Sequence, residues 1–114
     1  MPRATRVGFA DKSIQDAFLQ LRNGRFEEKQ LAAGIERAMN HLQEDPFTGI
    51  NIPRNLWPKE YVKKFAIDNL RKYDLPQGWR LIYYLRGNEV EIVSIILEWF
   101  DHKGYEKRFG YKTR

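Results

Sequence analysis

The sequence predicts an α+β fold, in which an N-terminal antiparallel helical hairpin packs on a three- to four-stranded, mainly antiparallel sheet. Apolar residues recur at helical spacing in residues 11–43. Segments rich in aromatic and β-branched residues, typical of strands, are concentrated after residue 69. Short connections between neighbouring segments favour antiparallel packing. Helices followed by strands are typical of an α+β domain, and we expect residues 1–114 to form a single domain.

Two helices are predicted at the start of the chain. The first spans residues 11–22, where Asp11 or Ser13 can cap the N-terminus. The second spans residues 27–43 and ends before a proline, because the residue preceding a proline is disfavoured in a helix. The loop between them is very short, so the helices should run antiparallel. Their apolar stripes contain Ile14, Phe18 and Leu21 in the first helix and Leu31, Ile35, Ala38 and Leu42 in the second.

The region between the hairpin and the sheet is predicted to be irregular. In residues 47–58 one glycine and two prolines interrupt any regular pattern, so we expect a loop. Residues 59–65 favour a helical turn that opens at Pro58, since proline suits the first turn of a helix. At the other end of the sheet, Asp101 is placed to cap a final helical turn.

Three strands are predicted in the second half of the chain. Residues 69–75 have the pattern of an edge strand, and a Pro-Gln-Gly turn joins them to a strand over residues 79–86. A Gly-Asn pair connects that strand to residues 89–97, whose later half is apolar on both faces and should be central and covered by helices. We expect one shared core that includes Ile14, Phe18, Leu31, Ile35, Leu81, Ile92 and Ile95.

The composition excludes several classes of chemistry. The sequence has no cysteine, which excludes disulfides, a thiolate nucleophile and cysteine-ligated zinc. Its two histidines show no metal-ligand spacing and it has no glycine-rich phosphate loop, so no metal or small-molecule cofactor is expected. No apolar run reaches the roughly 20 residues that cross a bilayer, and residues 1–6 lack the apolar segment of a secretory signal. We therefore expect a cytoplasmic protein with no membrane partner.

The positive charge is concentrated near the C-terminus. The chain carries a net charge of +5, and residues 103–114 contain five cations against one anion. The five cations are Lys103, Lys107, Arg108, Lys112 and Arg114. A basic segment with aromatic residues beside it is typical of a surface that contacts a phosphate backbone.

Arg80 and His102 are the residues best placed for chemistry. Arg80 begins a predicted strand, where it can form a salt bridge with Asp74 or Glu91, or grip a phosphate through two parallel hydrogen bonds. The sequence alone favours the salt bridge. His102 can act as an acid or base near neutral pH, although an ordinary surface histidine is the more common case. His41 lies within a predicted helix, and we interpret it as structural.

The segment around Arg80 resembles a known family. The run Gly78-Trp79-Arg80-Leu81-Ile82-Tyr83 is similar to the Gly-aromatic-Arg-aliphatic-aliphatic-Tyr run of the RelE/ParE superfamily, the toxins of type II toxin–antitoxin systems. In that superfamily a basic strand precedes the run, and a very apolar strand follows it, here residues 90–97. A polar segment with His or Arg and then Tyr comes next, here residues 101–107. Residues 52–65 look like an insertion typical of archaeal members.

The resemblance implies a RelE-like fold and a ribosome-dependent endoribonuclease that cleaves mRNA and so inhibits translation. In such members the RNA 2′-hydroxyl attacks the adjacent phosphate without a metal. On this resemblance Arg80 would stabilise phosphate charge, and Lys72 would share that task or help the 2′-oxygen ionise. His102 would be the general acid, and Tyr105 would stack on a base or contact phosphate. The surrounding RNA contacts would come from Arg71, Lys103, Lys107 and Arg108.

Sequence order gives a geometric prediction for these residues. The strand that begins at Arg80 is followed by a hairpin partner, so the chain after residue 97 returns to the Arg80 end of the sheet. Lys72 lies on the preceding strand. We therefore expect Lys72, Arg80, His102 and Tyr105 to converge on one concave, accessible surface.

The resemblance also defines partners and alternatives. A toxin of this kind would bind a cognate antitoxin, the ribosome and mRNA. ParE-type members share the fold but inhibit DNA gyrase through protein binding, and a noncatalytic nucleic-acid-binding relative is a third possibility. Asp74 stands where many relatives carry a cation, which favours these alternatives. The residue that acts as general base is left open.

Overall fold

The computed structural model describes residues 3–110, and within them the chain forms four helices and one five-stranded mixed sheet. The α+β class is therefore confirmed. In chain order the elements are β1 (Ala4–Phe9), α1 (Lys12–Arg22), α2 (Phe26–Glu44), β2 (Ile50–Asn51), α3 (Lys59–Phe65), β3 (Arg71–Asp74), β4 (Arg80–Gly87), β5 (Glu91–Phe100) and α4 (His102–Phe109). Short 3₁₀ turns span Arg54–Leu56 and Pro76–Gly78.

The sheet differs from the prediction at both edges. Its strand order is β1-β5-β4-β3-β2, with β1 parallel to β5 and the other neighbours antiparallel. The prediction of three or four strands, mainly antiparallel, missed β1, which comes before the helical hairpin and pairs Ala4 with Glu91 and Phe9 with Ile96. It also placed β3 at an edge, whereas β2 lies outside β3 through two residue pairs. The missed strands depend on distant partners rather than on strong local patterns.

The predicted N-terminal helical hairpin is roughly matched by α1 and α2, which follow β1, and side chains fix both helix starts. The Asp11 carboxylate caps α1 by accepting hydrogen bonds from the Ile14 amide at 3.1 Å and the Ser13 hydroxyl at 2.7 Å. These bonds, with Lys64 3.2 Å away, lower the pKa of Asp11 to about 2. At the start of α2, Glu28 accepts from the Arg25 amide at 2.8 Å. The segment predicted to be a helical turn forms α3, with Pro58 at its N-terminal boundary.

Helices cover both faces of the sheet, so the apolar side chains form two layers instead of one. The hairpin-side layer contains Phe18, Ala32, Ile35, Ala38, Leu42, Leu75, Leu81, Tyr83 and Ile96. The opposite layer, with α3 and α4, contains Ile52, Tyr61, Ile67, Leu70, Ile82, Tyr84, Leu97, Tyr105 and Phe109. The expectation of a single core is wrong for Ile95, which packs in the second layer because adjacent strand residues point to opposite faces. Ile92 is buried but belongs to neither cluster.

A β-bulge adjusts the end of β5. Tyr83 pairs with Ile96 while the adjacent Ile82 pairs with Glu98, which leaves Leu97 as an extra residue. Beyond the bulge the register continues until Arg80 lies opposite Phe100. The bulge therefore decides which residues of β5 lie beside the start of β4.

Candidate functional site

The start of β4 is the point where three elements meet. Arg80 is opposite Asp74 on β3 and opposite Phe100 on β5. Because β5 ends at Phe100, the chain turns there, and Asp101 caps α4 by accepting a hydrogen bond from the Gly104 amide at 2.8 Å. His102 is the first residue of α4 and lies beside the 3₁₀ turn, since a Cβ added to Gly78 would be 4.0 Å from the His102 Cβ.

Five side chains line one open depression at this point, and we call it the Arg80 depression. It has a volume of about 340 Å³ and is lined by Lys72, Arg80, His102, Tyr105 and Glu106. The four residues that sequence order placed on one surface therefore do lie together. Their roles in catalysis stay predictions. Glu106 is an additional member.

Tyr105 forms the floor beneath the two cations. Its ring centre is 5.4 Å from Arg80 Cζ and 5.7 Å from Lys72 Nζ, and the ring stacks on Phe109 at 4.7 Å. Cations over an aromatic face are attracted by its quadrupole. Only 5% of Tyr105 is exposed. In this arrangement the ring is covered by the two cations and Phe109, and the expected contact of Tyr105 with a base or a phosphate stays a prediction.

Asp74 connects the two cations of the depression. Its Oδ1 lies 3.2 Å from Lys72 Nζ and 3.4 Å from Arg80 Nε. Arg80 also donates from Nη1 to the Gly78 carbonyl. Of the two salt bridges considered for Arg80, the one with Asp74 forms, whereas Glu91 pairs with Arg6 at 3.4 Å. Asp74 is 56% exposed while both cations are 19% exposed, so the cations are held and the carboxylate faces solvent.

His102 pairs with a residue that the sequence analysis missed. Its Nε2 lies 3.5 Å from Glu106 Oε1, one helical turn further along α4. The i,i+4 spacing of His and Glu within a short helix was the signal that could have identified this pair. His102 is 63% exposed, which leaves it accessible to a ligand. The positive charges of Lys72 and Arg80 are balanced by the carboxylates of Asp74 and Glu106. The formal charge of the depression is therefore zero when His102 is neutral and +1 when it is protonated.

Two of the predicted RNA contacts are engaged inside the protein. Arg71 donates from Nη2 to the carbonyls of Phe47 at 2.9 Å and Gly49 at 2.6 Å. Its Nε donates to the Tyr83 hydroxyl at 3.3 Å. Arg71 thus holds the loop after α2 against the sheet, and its contact with RNA stays a prediction.

Arg108 is likewise held by other side chains. Its Nη1 lies 2.6 Å from Glu60, its Nη2 3.6 Å from Glu98, and its Cζ 5.1 Å from the Tyr61 ring centre. Burial opposes the charge of Arg108, but the bonds to Glu60 and Tyr61 outweigh it and raise its pKa. Burial and the Glu98 hydrogen bond raise the pKa of Tyr61. This network joins α4 to α3 and β5, so Arg108 is an internal anchor.

The remaining predicted contacts are on the surface. Lys103 and Lys107 are exposed on α4, whereas Lys112 and Arg114 lie outside the described residues. His41 contacts the Tyr73 hydroxyl through Nδ1 at 2.8 Å and the Thr48 hydroxyl through Nε2 at 3.3 Å. These contacts agree with a structural role for His41.

Comparisons of the chain with protein-family models, with curated proteins and with solved structures gave no significant match. In residues 3–110 no three His, Asp or Glu side chains are grouped so that they could hold a metal ion. Within the same residues no helix has the length and apolar character needed to cross a membrane.

Proposed function

We propose that this chain is a RelE-like toxin, a ribosome-dependent endoribonuclease that cleaves mRNA in the cytoplasm and inhibits translation. The observation that supports it is the meeting of Lys72, Arg80, His102 and Tyr105 around one open depression. Cations that grip a phosphate and a histidine that transfers a proton are the groups that 2′-hydroxyl attack on phosphate requires. The accessible shape of the depression suits a polymer strand better than a small molecule, which would need an enclosed pocket.

The proposed reaction forms a bond between the RNA 2′-oxygen and phosphorus and breaks the bond from phosphorus to the 5′-oxygen. The phosphate replaces the Asp74 carboxylate as the partner of Arg80 and Lys72, which then stabilise the charge of the pentacoordinate intermediate. Lys72 also stabilises the negative charge that develops on the 2′-oxygen as its proton leaves to solvent. Protonated His102 gives its proton to the departing 5′-oxygen. The products are a 2′,3′-cyclic phosphate and a 5′-hydroxyl.

Inducible expression with mapping of transcript ends tests this proposal. We expect cuts in phase with codons, found only on translated messages. Arg80→Ala should reduce cleavage by about 10²–10³ and His102→Ala by roughly 10²–10⁴. Arg22→Ala is the matched control, because Arg22 is exposed on α1 and pairs with Glu36, away from the depression. Transcripts that stay intact while plasmid supercoiling changes would identify a gyrase inhibitor instead.

A noncatalytic nucleic-acid-binding protein is the second candidate, and one observation favours it. The carboxylates of Asp74 and Glu106 offset the charges of Lys72 and Arg80, so the depression lacks the strong positive potential expected of a phosphorane site. Purified protein that binds RNA on stalled ribosomes without producing cyclic phosphate ends would support this candidate.

The proposed function also includes a protein partner. An acidic or amphipathic antitoxin segment is expected to wrap the basic face and to neutralise it. Such a complex should dissociate as salt is raised, because the attraction between exposed charges is screened. Purification of the untagged native protein from its host at low salt, without any partner, would contradict this expectation.

A further inference from the structure

A second basic surface lies on the segment between β2 and β3, and we call it the Trp57 patch. It is an open depression of about 270 Å³ that brings together three cations, one indole and one exposed valine. The lining residues are Arg54, Trp57, Lys59, Val62 and Lys63. No carboxylate belongs to this lining, which distinguishes it from the Arg80 depression.

The cations of the Trp57 patch are not used for internal ion pairs. The segment has three other charged residues. Glu60 binds Arg108 at 2.6 Å and Lys64 binds Asp11 at 3.2 Å, while Asp68 accepts a hydrogen bond from the Asn69 side chain at 2.8 Å. In the part of the chain from residue 3 to 110, no carboxylate lies within 4.0 Å of Arg54, Lys59 or Lys63. The charged residues that line the patch are therefore all positive and available to an anionic ligand.

The indole of the patch is fixed in place. Trp57 Nε1 donates a hydrogen bond to the Ile52 carbonyl at 2.8 Å, and the Arg54 guanidinium lies over the ring at 4.7 Å. Val62 beside it is 45% exposed, which extends the apolar surface. A guanidinium stacked on an aromatic ring presents a flat outer face, and nucleobases stack on arginine planes as well as on aromatic rings. A ready stacking surface for one unpaired base is thus surrounded by phosphate-binding charges.

The Trp57 patch and the Arg80 depression are on the same side of the sheet. Trp57 packs against the layer that also contains Tyr105, the floor of the depression. The patch follows directly after β2, and Ile50 of β2 pairs with Lys72, one of the residues lining the depression. One extended strand of nucleic acid that leaves the depression along the β2 edge would reach the patch without crossing the sheet.

We propose that the Trp57 patch is a secondary binding site for single-stranded RNA, in which Lys59 and Lys63 bind backbone phosphates and a base stacks on Arg54 and Trp57. This inference rests on the proposed function, because it takes the strand held at the Arg80 depression to be RNA. An acidic protein segment would use the same lysines, but its carboxylates offer no aromatic plane to stack on the guanidinium and indole, whereas every nucleotide of RNA has one. The observations therefore favour RNA over a peptide.

The test uses the full chain and a fluorescein-labelled 2′-O-methyl uridine dodecamer, which cannot be cleaved because it lacks the 2′-nucleophile. Lys59→Glu with Lys63→Glu should weaken binding tenfold or more, as measured by anisotropy. The plot of log K against log salt should become shallower by about 1.4, since each single-strand phosphate contact contributes about 0.7. The matched control is Lys12→Glu with Lys29→Glu, which makes the same two changes at exposed positions of the hairpin and should bind like the native protein.

The outcomes separate this inference from the proposed function. If the patch variant and the control bind the dodecamer equally well, the Trp57 patch is not an RNA-binding site. The proposed cleavage at the Arg80 depression would be unaffected by that result. If binding depends on the patch but Arg80→Ala cleaves RNA normally, the RNA-binding role of the Trp57 patch is supported and catalysis at the Arg80 depression is rejected. Duplex RNA that binds as tightly as the single strand would overturn the stacking role. Displacement of the dodecamer by polyglutamate at equal charge concentration would identify an acidic protein as the ligand instead.

Discussion

Asp74 decides how much positive charge the Arg80 depression offers to a phosphate. Its carboxylate lies between Lys72 and Arg80 and is the group that an incoming phosphate must replace. Asp74→Asn removes one negative charge, keeps the side-chain shape, and raises the net charge of the chain from +5 to +6. We expect this variant to bind RNA more tightly than the native protein.

The size of the effect follows from the exposure of the carboxylate. Asp74 is 56% exposed, so each of its two ion pairs contributes only about 0.2–1 kcal/mol. In Asp74→Asn a bound phosphate no longer has to displace the carboxylate from both ion pairs. Its binding free energy should therefore be more favourable by roughly 0.5–2 kcal/mol, which corresponds to about 2- to 30-fold in affinity. The gain should decrease as salt rises, because screening over about 8–10 Å acts on exposed charges.

Anisotropy with the noncleavable dodecamer measures the change at several salt concentrations. Asp16→Asn is the matched control, since Asp16 also pairs with a lysine, Lys12 at 3.1 Å, but lies on α1. It makes the same change in net charge and should leave affinity nearly unchanged. If Asp74→Asn weakens binding as much as Arg80→Ala does, the carboxylate orients the cations instead of screening them, and the reasoning is refuted.

Four further predictions concern stability. Ile96→Asp should prevent folding, because Ile96 is fully buried in the hairpin-side layer, whereas Ile95→Asp at a half-buried position should be less damaging; a normal melting transition for Ile96→Asp would contradict the layer assignment. Ser94→Ala should be neutral or stabilising in urea unfolding, because the Ser94 hydroxyl is buried and finds no hydrogen-bond partner in residues 3–110; a loss above about 1 kcal/mol would indicate a partner. Asp11→Ala should cost about 1 kcal/mol at neutral pH through loss of the helix cap. The pKa of Asp11 is lowered to about 2 on folding, so this contribution is present above pH 3.8 and disappears as pH falls to about 2; an equal difference at pH 7 and pH 2 would refute it. Arg108→Ala should speed amide exchange in α4, because it removes the contacts with Glu60, Glu98 and Tyr61, and unchanged exchange there would show that α4 is held by its apolar residues alone.

Local patterns predicted most helices and the three longer strands of the second half. The periodicity of α1 and α2 and the apolar run of β5 are strong because each element buries a continuous face. β1 was missed because residues 4–9 include a glycine and an arginine and present few apolar side chains. β1 pairs in parallel with β5, which is more than 80 residues away in the sequence, and a local sequence pattern cannot identify so distant a partner.

The site was predictable where chain direction determined it. An antiparallel hairpin returns the chain to its starting edge, so the approach of His102 to Arg80 followed from strand order. The number and positions of lysines and arginines in the sequence did not show which of them form hydrogen bonds or ion pairs within the protein. Arg71 and Arg108 look like surface cations in the sequence, but carbonyls and carboxylates from other elements hold them. Their roles depend on tertiary contacts.

The pairing of β1 with β5 also sets when the sheet can be completed during synthesis. β1 is made before the other described elements, but its sheet partner begins at Glu91, so β1 cannot pair until more than 80 further residues have been made. His102 and Tyr105 are made later still. At about 5–20 residues per second, several seconds separate the synthesis of β1 from that of β5. Any chain that ends before residue 91 therefore lacks both the neighbour of β1 and three of the five residues that line the Arg80 depression, so incomplete products of translation cannot assemble this site.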